Sequence, residues 1–241
     1  LCDIRDTAMR FGVRRADGTE LQYIPSSVIG VNEISPLSMA AAMAAVSNHG
    51  VYCSPVAIDK VIVRSTKQEL KVPTTQCSQA VTPDVAAGMT HAMRAVISGG
   101  TGGASSTGDG VALAGKTGTT DSGVHTWITC FSSTVGTATW VGNVSGSKSL
   151  SSIKLNNKAG NTVRHDIWRT IMQTANKLYV PGPLDVAPPS VLNATYMTIP
   201  DVTGQTPDAA AEVIKTNMLN GSIVVKQVSS AQPAGTVAYT R

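Results

Sequence analysis

One short run in the 241 residues sets a cation, a hydroxyl and a residue without a side chain in succession: Lys116-Thr117-Gly118. An apolar stretch, residues 111–114, leads into it, and Thr119 and Thr120 follow. On an extended strand such residues make a polar edge, with a positive charge, hydroxyls able to hydrogen-bond, and backbone left uncovered at the glycine. Taken alone the tripeptide is a weak signal, because ordinary composition produces Lys-Ser/Thr-Gly by chance in roughly one chain in ten of this length. Its setting is what raises it. The other reactive residue types form no comparable group. Cys2, Cys53, Cys77 and Cys130 contain no Cys-x-x-Cys pair and no zinc-finger spacing to a histidine. His49, His91, His125 and His165 are scattered, with no His-Glu-x-x-His arrangement, so neither a metal nor a cofactor is expected. Asp109 and Asp121 flank the motif and read as solvated loop carboxylates. Trp127, Trp140 and Trp168 read as core or interface aromatics rather than ligand platforms.

The elements that must position the motif are marked by local signals. Ser35-Pro36, Thr82-Pro83 and Thr206-Pro207 each pair a hydroxyl cap with a proline in the first helical turn, where the missing N–H would be unpaired in any case. These predict helices closing near Asn48-His49-Gly50, Gly99-Gly100 and Asn220-Gly221. A fourth helix lacks that signal but has the period, with Val163, Ile167, Ile171, Ala175 and Leu178 on one face. Residues 99–110 (GGTGGASSTGDG) read as a flexible loop. After the motif come two strand-like runs, residues 126–131 and 137–144. Loop, strand, turn, strand, strand and helix together predict part of an α+β domain with an antiparallel sheet. Pro181, Pro183, Pro188, Pro189 and Pro200 mark a semi-rigid linker. The tail after it reads as strand, turn, helix, strand, turn, strand.

With 42% hydrophobic and 14% charged residues the chain can bury a core. Its net charge of +4 is dispersed and forms no nucleic-acid footprint. A mildly basic surface suits an anionic envelope polymer or lipid headgroups, or no charged partner at all. The longest apolar stretch, residues 39–46, is far short of a bilayer span. The chain opens Leu1-Cys2-Asp3, with neither an initiator Met nor a signal peptide. The expectation is a fragment or processed product whose membrane anchor would lie upstream. Four cysteines permit three pairings if oxidised. Cys53 follows a helix and turn and Cys77 precedes the next helix, so a disulfide could clip the excursion between them, or both thiols could be free. Closing a loop of that size contributes roughly 3 kcal/mol in the chain-entropy model.

The chain resembles a family over most of residues 1–180. Glu33-Ile34-Ser35-Pro36-Leu37-Ser38-Met39-Ala40, then Asn48-His49-Gly50-Val51-Tyr52, is similar to a helix and turn of class A (bifunctional) penicillin-binding proteins. Lys116-Thr117-Gly118 is similar to their third motif, Thr139-Trp140-Val141-Gly142-Asn143 to the strand after it, and Ile167-Trp168-Arg169-Thr170-Ile171-Met172 to the closing helix. Ile199-Pro200-Asp201-Val202-Thr203-Gly204 and Pro233-Ala234-Gly235-Thr236-Val237 resemble a PASTA domain, a combination similar to actinobacterial enzymes. The resemblance implies the C-terminal part of an α+β transpeptidase domain over residues 1–180, a linker over 181–197 and a small α+β PASTA domain over 198–241. It also implies roles. Lys116 would act in catalysis by binding the substrate carboxylate and holding the proton network. Thr117 and Thr119 would hold that carboxylate, Gly118 would leave room for substrate, and Thr119 N–H would join an oxyanion hole. His125 is near enough to suggest a general base, but the family uses lysine for that step.

The family's nucleophile motif, Ser-x-x-Lys, and its Ser-x-Asn motif are both absent from residues 1–115. Ser145-Gly146-Ser147-Lys148 and Ser151-Ser152-Ile153-Lys154 follow Lys116 instead, in a polar loop-like segment, and read as coincidence. The expected nucleophile is therefore upstream, with a membrane-anchored glycosyltransferase domain before it. The expected activity is serine D,D-transpeptidation of peptidoglycan at the extracytoplasmic face of the membrane. The implied partners are stem peptides, β-lactams and the upstream part of the same protein. A D,D-carboxypeptidase, a β-lactamase and a non-catalytic wall-binding module are the alternatives.

Overall fold

The computed structural model describes residues 2–193, 199–216 and 226–239 and divides the chain into two units, Leu1–Asn193 and Ala194–Arg241. The first unit holds helices α1 (Cys2–Arg10), α2 (Pro36–Ser47), α3 (Pro83–Ser98), α4 (Val163–Leu178) and the single turn α5 (Pro189–Leu192). Its strands are β1 (Val51–Cys53), β2 (Val61–Ile62), β3 (Glu69–Leu70), β4 (Cys77–Gln79), β5 (Ala114–Thr119), β6 (His125–Phe131), β7 (Gly136–Gly142), β8 (Lys154–Leu155) and β9 (Lys158–Ala159). The unit is α+β, as the residue pattern predicted.

The central element is an antiparallel sheet in the order β5-β6-β7. Alternation along its strands separates two cores. Ala114 and Phe131 pack with Phe11 and with Ala42, Met43, Ala45 and Val46 of α2. Ile128 and Cys130 pack with Trp168 and Met172 of α4 on the other face, and Ile97 at the end of α3 joins them. The alanines of α2 allow a very close approach to the sheet: a Cβ added to Gly136 would lie 2.5 Å from Ala44 N and 2.6 Å from Ala40 O.

The proline signals identified the starts of α2 and α3, but only one of these hydroxyls caps. Thr82 Oγ1 accepts from Val85 N, whereas Ser35 makes no side-chain cap. The strand begins at Ala114 and includes the whole Lys-Thr-Gly motif, which is extended rather than a turn. Of the apolar face expected of α4, Ala175 packs on the core but the larger residues do not. Ile167, Ile171 and Leu178 are exposed, while His165, Trp168, Met172 and Asn176 are buried. Periodicity finds an apolar stripe, but the bulk of Trp168 and Met172 fills the space over the sheet and sets the rotation of the helix.

Residues 99–110 are a loop, but one tied down along its length rather than left free. Arg169 donates to Ala104 O, Gln173 Nε2 to Thr107 O at 2.8 Å, and Asn176 Nδ2 to Asp109 Oδ2 at 2.8 Å. Over residues 181–193 the proline-rich stretch, expected as a semi-rigid linker, packs against the rest of the first unit. Leu184 and Ala187 are buried, Ser133 Oγ donates to Gly182 O at 3.0 Å, and His49 Nδ1 lies 2.7 Å from Asp185 Oδ2. Prolines give this stretch the extended form in which apolar side chains between them can be pressed onto a neighbouring core. Residues 194–197 of the expected linker lie outside the described residues.

Cys53 and Cys77 form a disulfide where β1 and β4 pair, with a Cα–Cα separation of 4.1 Å. It closes the base of an excursion that carries the β2–β3 hairpin. Cys2 and Cys130 are free thiols. In the second unit, helix α6 spans Pro207–Thr216, with Val202 and Ala210 buried. Two backbone bonds, Gly204 N to Val237 O and Val237 N to Gln205 O, each 2.9 Å, join its early and late segments. No strand occurs among the described residues of this unit, and the helix end expected at Asn220-Gly221 lies outside them.

Candidate functional site

Among the described residues β5 pairs only with β6, so its other side is a sheet edge. Ala114 lies in the α2-side core, which puts Lys116 and Gly118 on that face by the pleat. Thr117 and Thr119, opposite Ile128 and Thr126, fall on the α4 face. Backbone direction follows from a single bond, Thr120 N to His125 O at 3.0 Å across the ladder. Backbone groups alternate along an antiparallel strand, so the N–H and C=O of Thr117 and Thr119 point outward, away from β6. Gly118 faces Trp127, where an added Cβ would lie 3.3 Å from the tryptophan Cβ.

The structure therefore gathers Lys116, Thr117, Gly118 and Thr119 at one edge, with the lysine and the threonines on opposite faces. Lys116 spans that division by curling over the edge, where its Nζ donates to Thr117 O at 2.9 Å. Thr117 Oγ1 lies 2.6 Å from Thr101 Oγ1, which comes from the glycine-rich loop. Thr119 Oγ1 accepts from Arg164 Nη1 at 3.2 Å, from the first turn of α4. Sequence reasoning found neither Thr101 nor Arg164. No local signal could have shown them, because both arrive by packing from outside the strand.

Arg164 also donates through Nε to His165 Nε2 at 3.2 Å. That makes Nε2 an acceptor, so the proton of the neutral ring sits on Nδ1, which donates to the buried Ser105 Oγ at 2.7 Å. Burial, helped by the neighbouring Arg164 and Arg169 charges, lowers the His165 pKa from its ordinary value. In the unfolded chain the same histidine takes up its proton at higher pH, so acid favours unfolding. Stability is thus expected to fall as pH drops from about 7.5 towards 5.5, through the ordinary histidine range. Urea denaturation across that window checks this, and His165→Gln should flatten the dependence.

The remaining candidates take structural positions. Asp109 is not simply solvated. Burial would raise its pKa, but hydrogen bonds from Asn176, Thr107 and the Val111 backbone outweigh this and hold it below the ordinary carboxylate value. His125 stacks on Trp140 with ring centroids 5.8 Å apart, and its buried Nδ1 has no hydrogen-bond partner among the described residues. Trp168 is fully buried. Ser145, Ser147, Ser151 and Ser152 are all exposed in the segment after β7, where the Ser152 hydroxyl donates to Ser149 O. Among the described residues no cluster of His, Cys, Asp and Glu could hold a metal ion, and no helix is long and apolar enough to cross a membrane. A cavity of about 470 Å³ lies beside the β6–β7 turn and the end of α2, and none of Lys116, Thr117, Gly118 and Thr119 lines it.

Comparison with known proteins places this edge in a context. The penicillin binding protein transpeptidase domain matches residues 16–173. Penicillin-binding protein 1A of Aquifex aeolicus is 29% identical over 167 residues, which cover 69% of this chain and 22% of that protein. Penicillin-binding protein 1A of Neisseria meningitidis is 31% identical over 173 residues, 70% of this chain and 21% of its own length. The chain thus spans about a fifth of the length of these curated relatives. Among solved structures, the penicillin-binding protein PonA1 of Mycobacterium tuberculosis superposes with a TM-score of 0.63 at 25% identity, over 79% of this chain and 56% of that one. The same protein in complex with penicillin V gives a TM-score of 0.61 at 25% identity, over 74% of this chain and 50% of that one.

Proposed function

The chain belongs to the penicillin-binding protein transpeptidase family, and we propose that in its complete protein it supplies the Lys-Thr-Gly wall of a serine D,D-transpeptidase site that cross-links peptidoglycan. The observation that carries this reading is the free edge of β5, which presents Lys116, Thr117, Gly118 and Thr119 together inside the matched region. A stem peptide ending in D-Ala-D-Ala lies along that edge, its terminal carboxylate near Lys116 and the threonine hydroxyls. A serine from the upstream part of the protein attacks the penultimate carbonyl, and the outward Thr119 N–H helps hold the oxyanion. The C–N bond breaks, the terminal D-Ala leaves with a proton, and an ester to the serine remains. The amine of a neighbouring strand then attacks the ester, forms the cross-link and returns the serine. β-Lactams acylate the same serine.

The Cys53–Cys77 disulfide supports an oxidising, extracytoplasmic setting. Residues 198–241 act as a PASTA-type peptidoglycan-binding module, and the complete protein carries a glycosyltransferase and a membrane anchor. No Ser-x-x-Lys precedes Lys116, so the chain alone is expected to remain unmodified by benzylpenicillin while the complete protein gains one adduct. Intact-mass analysis of both decides it. A stoichiometric adduct on the isolated chain overturns the upstream nucleophile, and no adduct on the complete protein leaves only the wall-binding reading.

A further inference from the structure

Arg164 is half-buried in the first turn of α4, and among the described residues its guanidinium reaches only neutral acceptors, Thr119 Oγ1 at 3.2 Å and His165 Nε2 at 3.2 Å. The nearby carboxylate, Asp166, is taken by Lys158 at 2.6 Å and by Arg169 at 3.2 Å. Among the described residues no carboxylate pairs with Arg164. A desolvated guanidinium without a counter-charge is unfavourable, and burial draws its pKa below the usual arginine value. Its position aggravates this, because the first turn of a helix carries the positive end of the backbone dipole. An anion placed there would supply the counter-charge and offset the dipole as well.

Among the described residues, the one hydrogen-bond partner of this guanidinium outside its own helix is Thr119, at the end of the Lys-Thr-Gly strand. Lys116 approaches the edge from the α2 face and Arg164 from the α4 face, so the outward backbone of Thr117 and Thr119 lies between two cations. We propose that Arg164 is a second carboxylate-binding residue beside Lys116, supplied by α4 rather than by the motif strand. The guanidinium keeps a fixed charge and a planar fork of donors, which suits two carboxylate oxygens better than a lysine ammonium does. The inference deepens the transpeptidase reading and rests on it.

The test uses the complete protein and two probes, benzylpenicillin and its methyl ester, which differ only in the carboxylate charge. Arg164→Gln is expected to slow acylation by benzylpenicillin about 10- to 100-fold and to leave acylation by the ester within about twofold. Arg164→Lys, which keeps the charge but not the fork, should recover part of the loss. An equal loss on both probes, or a lowered Tm, assigns Arg164 to supporting Thr119 and His165 and overturns the proposal. No loss on either probe overturns it as well. Failure of the unaltered protein to react with either probe overturns the transpeptidase reading and the role of Arg164 with it.

Discussion

In the complete protein, Lys116→Ala is expected to slow acylation by benzylpenicillin by one and a half to three and a half decades while leaving the fold intact. The size follows from what the lysine would do beside a substrate carboxylate shielded from water. Removing one partner of a water-excluded charged pair costs about 2–5 kcal/mol, which appears as that loss of rate if the pairing is fully present in the transition state. The fold should survive because the side chain is exposed, and among the described residues its ammonium hydrogen-bonds only the Thr117 carbonyl at 2.9 Å, which water can replace. An ordinary exposed strand lysine predicts the opposite kinetic result, since exposed pairs contribute about 1 kcal/mol or less. Stopped-flow acylation separates the two. A folded Lys116→Ala protein reacting at close to the unaltered rate would remove the β5 edge from the active site.

Trp168→Ala is expected to destabilise the first unit by about 3–5 kcal/mol, a large share of the 5–15 kcal/mol typical of a folded domain. The tryptophan is fully buried against Ile97, Leu113, Ile128, Cys130 and Met172. Its Nε1 donates to Thr137 Oγ1 at 2.6 Å, which joins α4 to β7. Truncation would leave a cavity between helix and sheet and remove that bond. Trp168→Phe keeps most of the volume and loses the hydrogen bond, so it should cost only about 1–2 kcal/mol. Urea titration followed by circular dichroism measures both. A Trp168→Ala protein within about 1 kcal/mol of the unaltered chain would mean that α4 is not held through this residue. Because Arg164 rides on the same helix, the alanine variant should also disturb the Thr119 end of the strand.

Much of the fold was legible from local rules. Proline in a first turn acts on the residue that carries it, so Pro36 and Pro83 marked the starts of their helices. Alternation and β-branching are likewise properties of neighbours in sequence, so the runs around Trp127 and Trp140 read as strands. The pairing of Cys53 with Cys77 was one open possibility among others, because the direction of two Cβ atoms depends on β1 and β4 lying side by side. The motif itself was visible as Lys116-Thr117-Gly118, and the resemblance supplied the roles of its residues.

What only tertiary structure decided is how other elements meet that strand. The sequence showed an apolar stripe on α4 but not which face would be buried. Trp168 and Met172 won the interior, and Ile167 and Ile171 were left in solvent. That rotation carries Arg164 to Thr119 across a separation of 45 residues. It also brings Arg169, Gln173 and Asn176 onto the glycine-rich loop, and that loop sets Thr101 against Thr117. Spacing along a chain specifies which residues share a face of one element. Which faces then touch depends on the shapes that can close-pack, and this is a property of the assembled core.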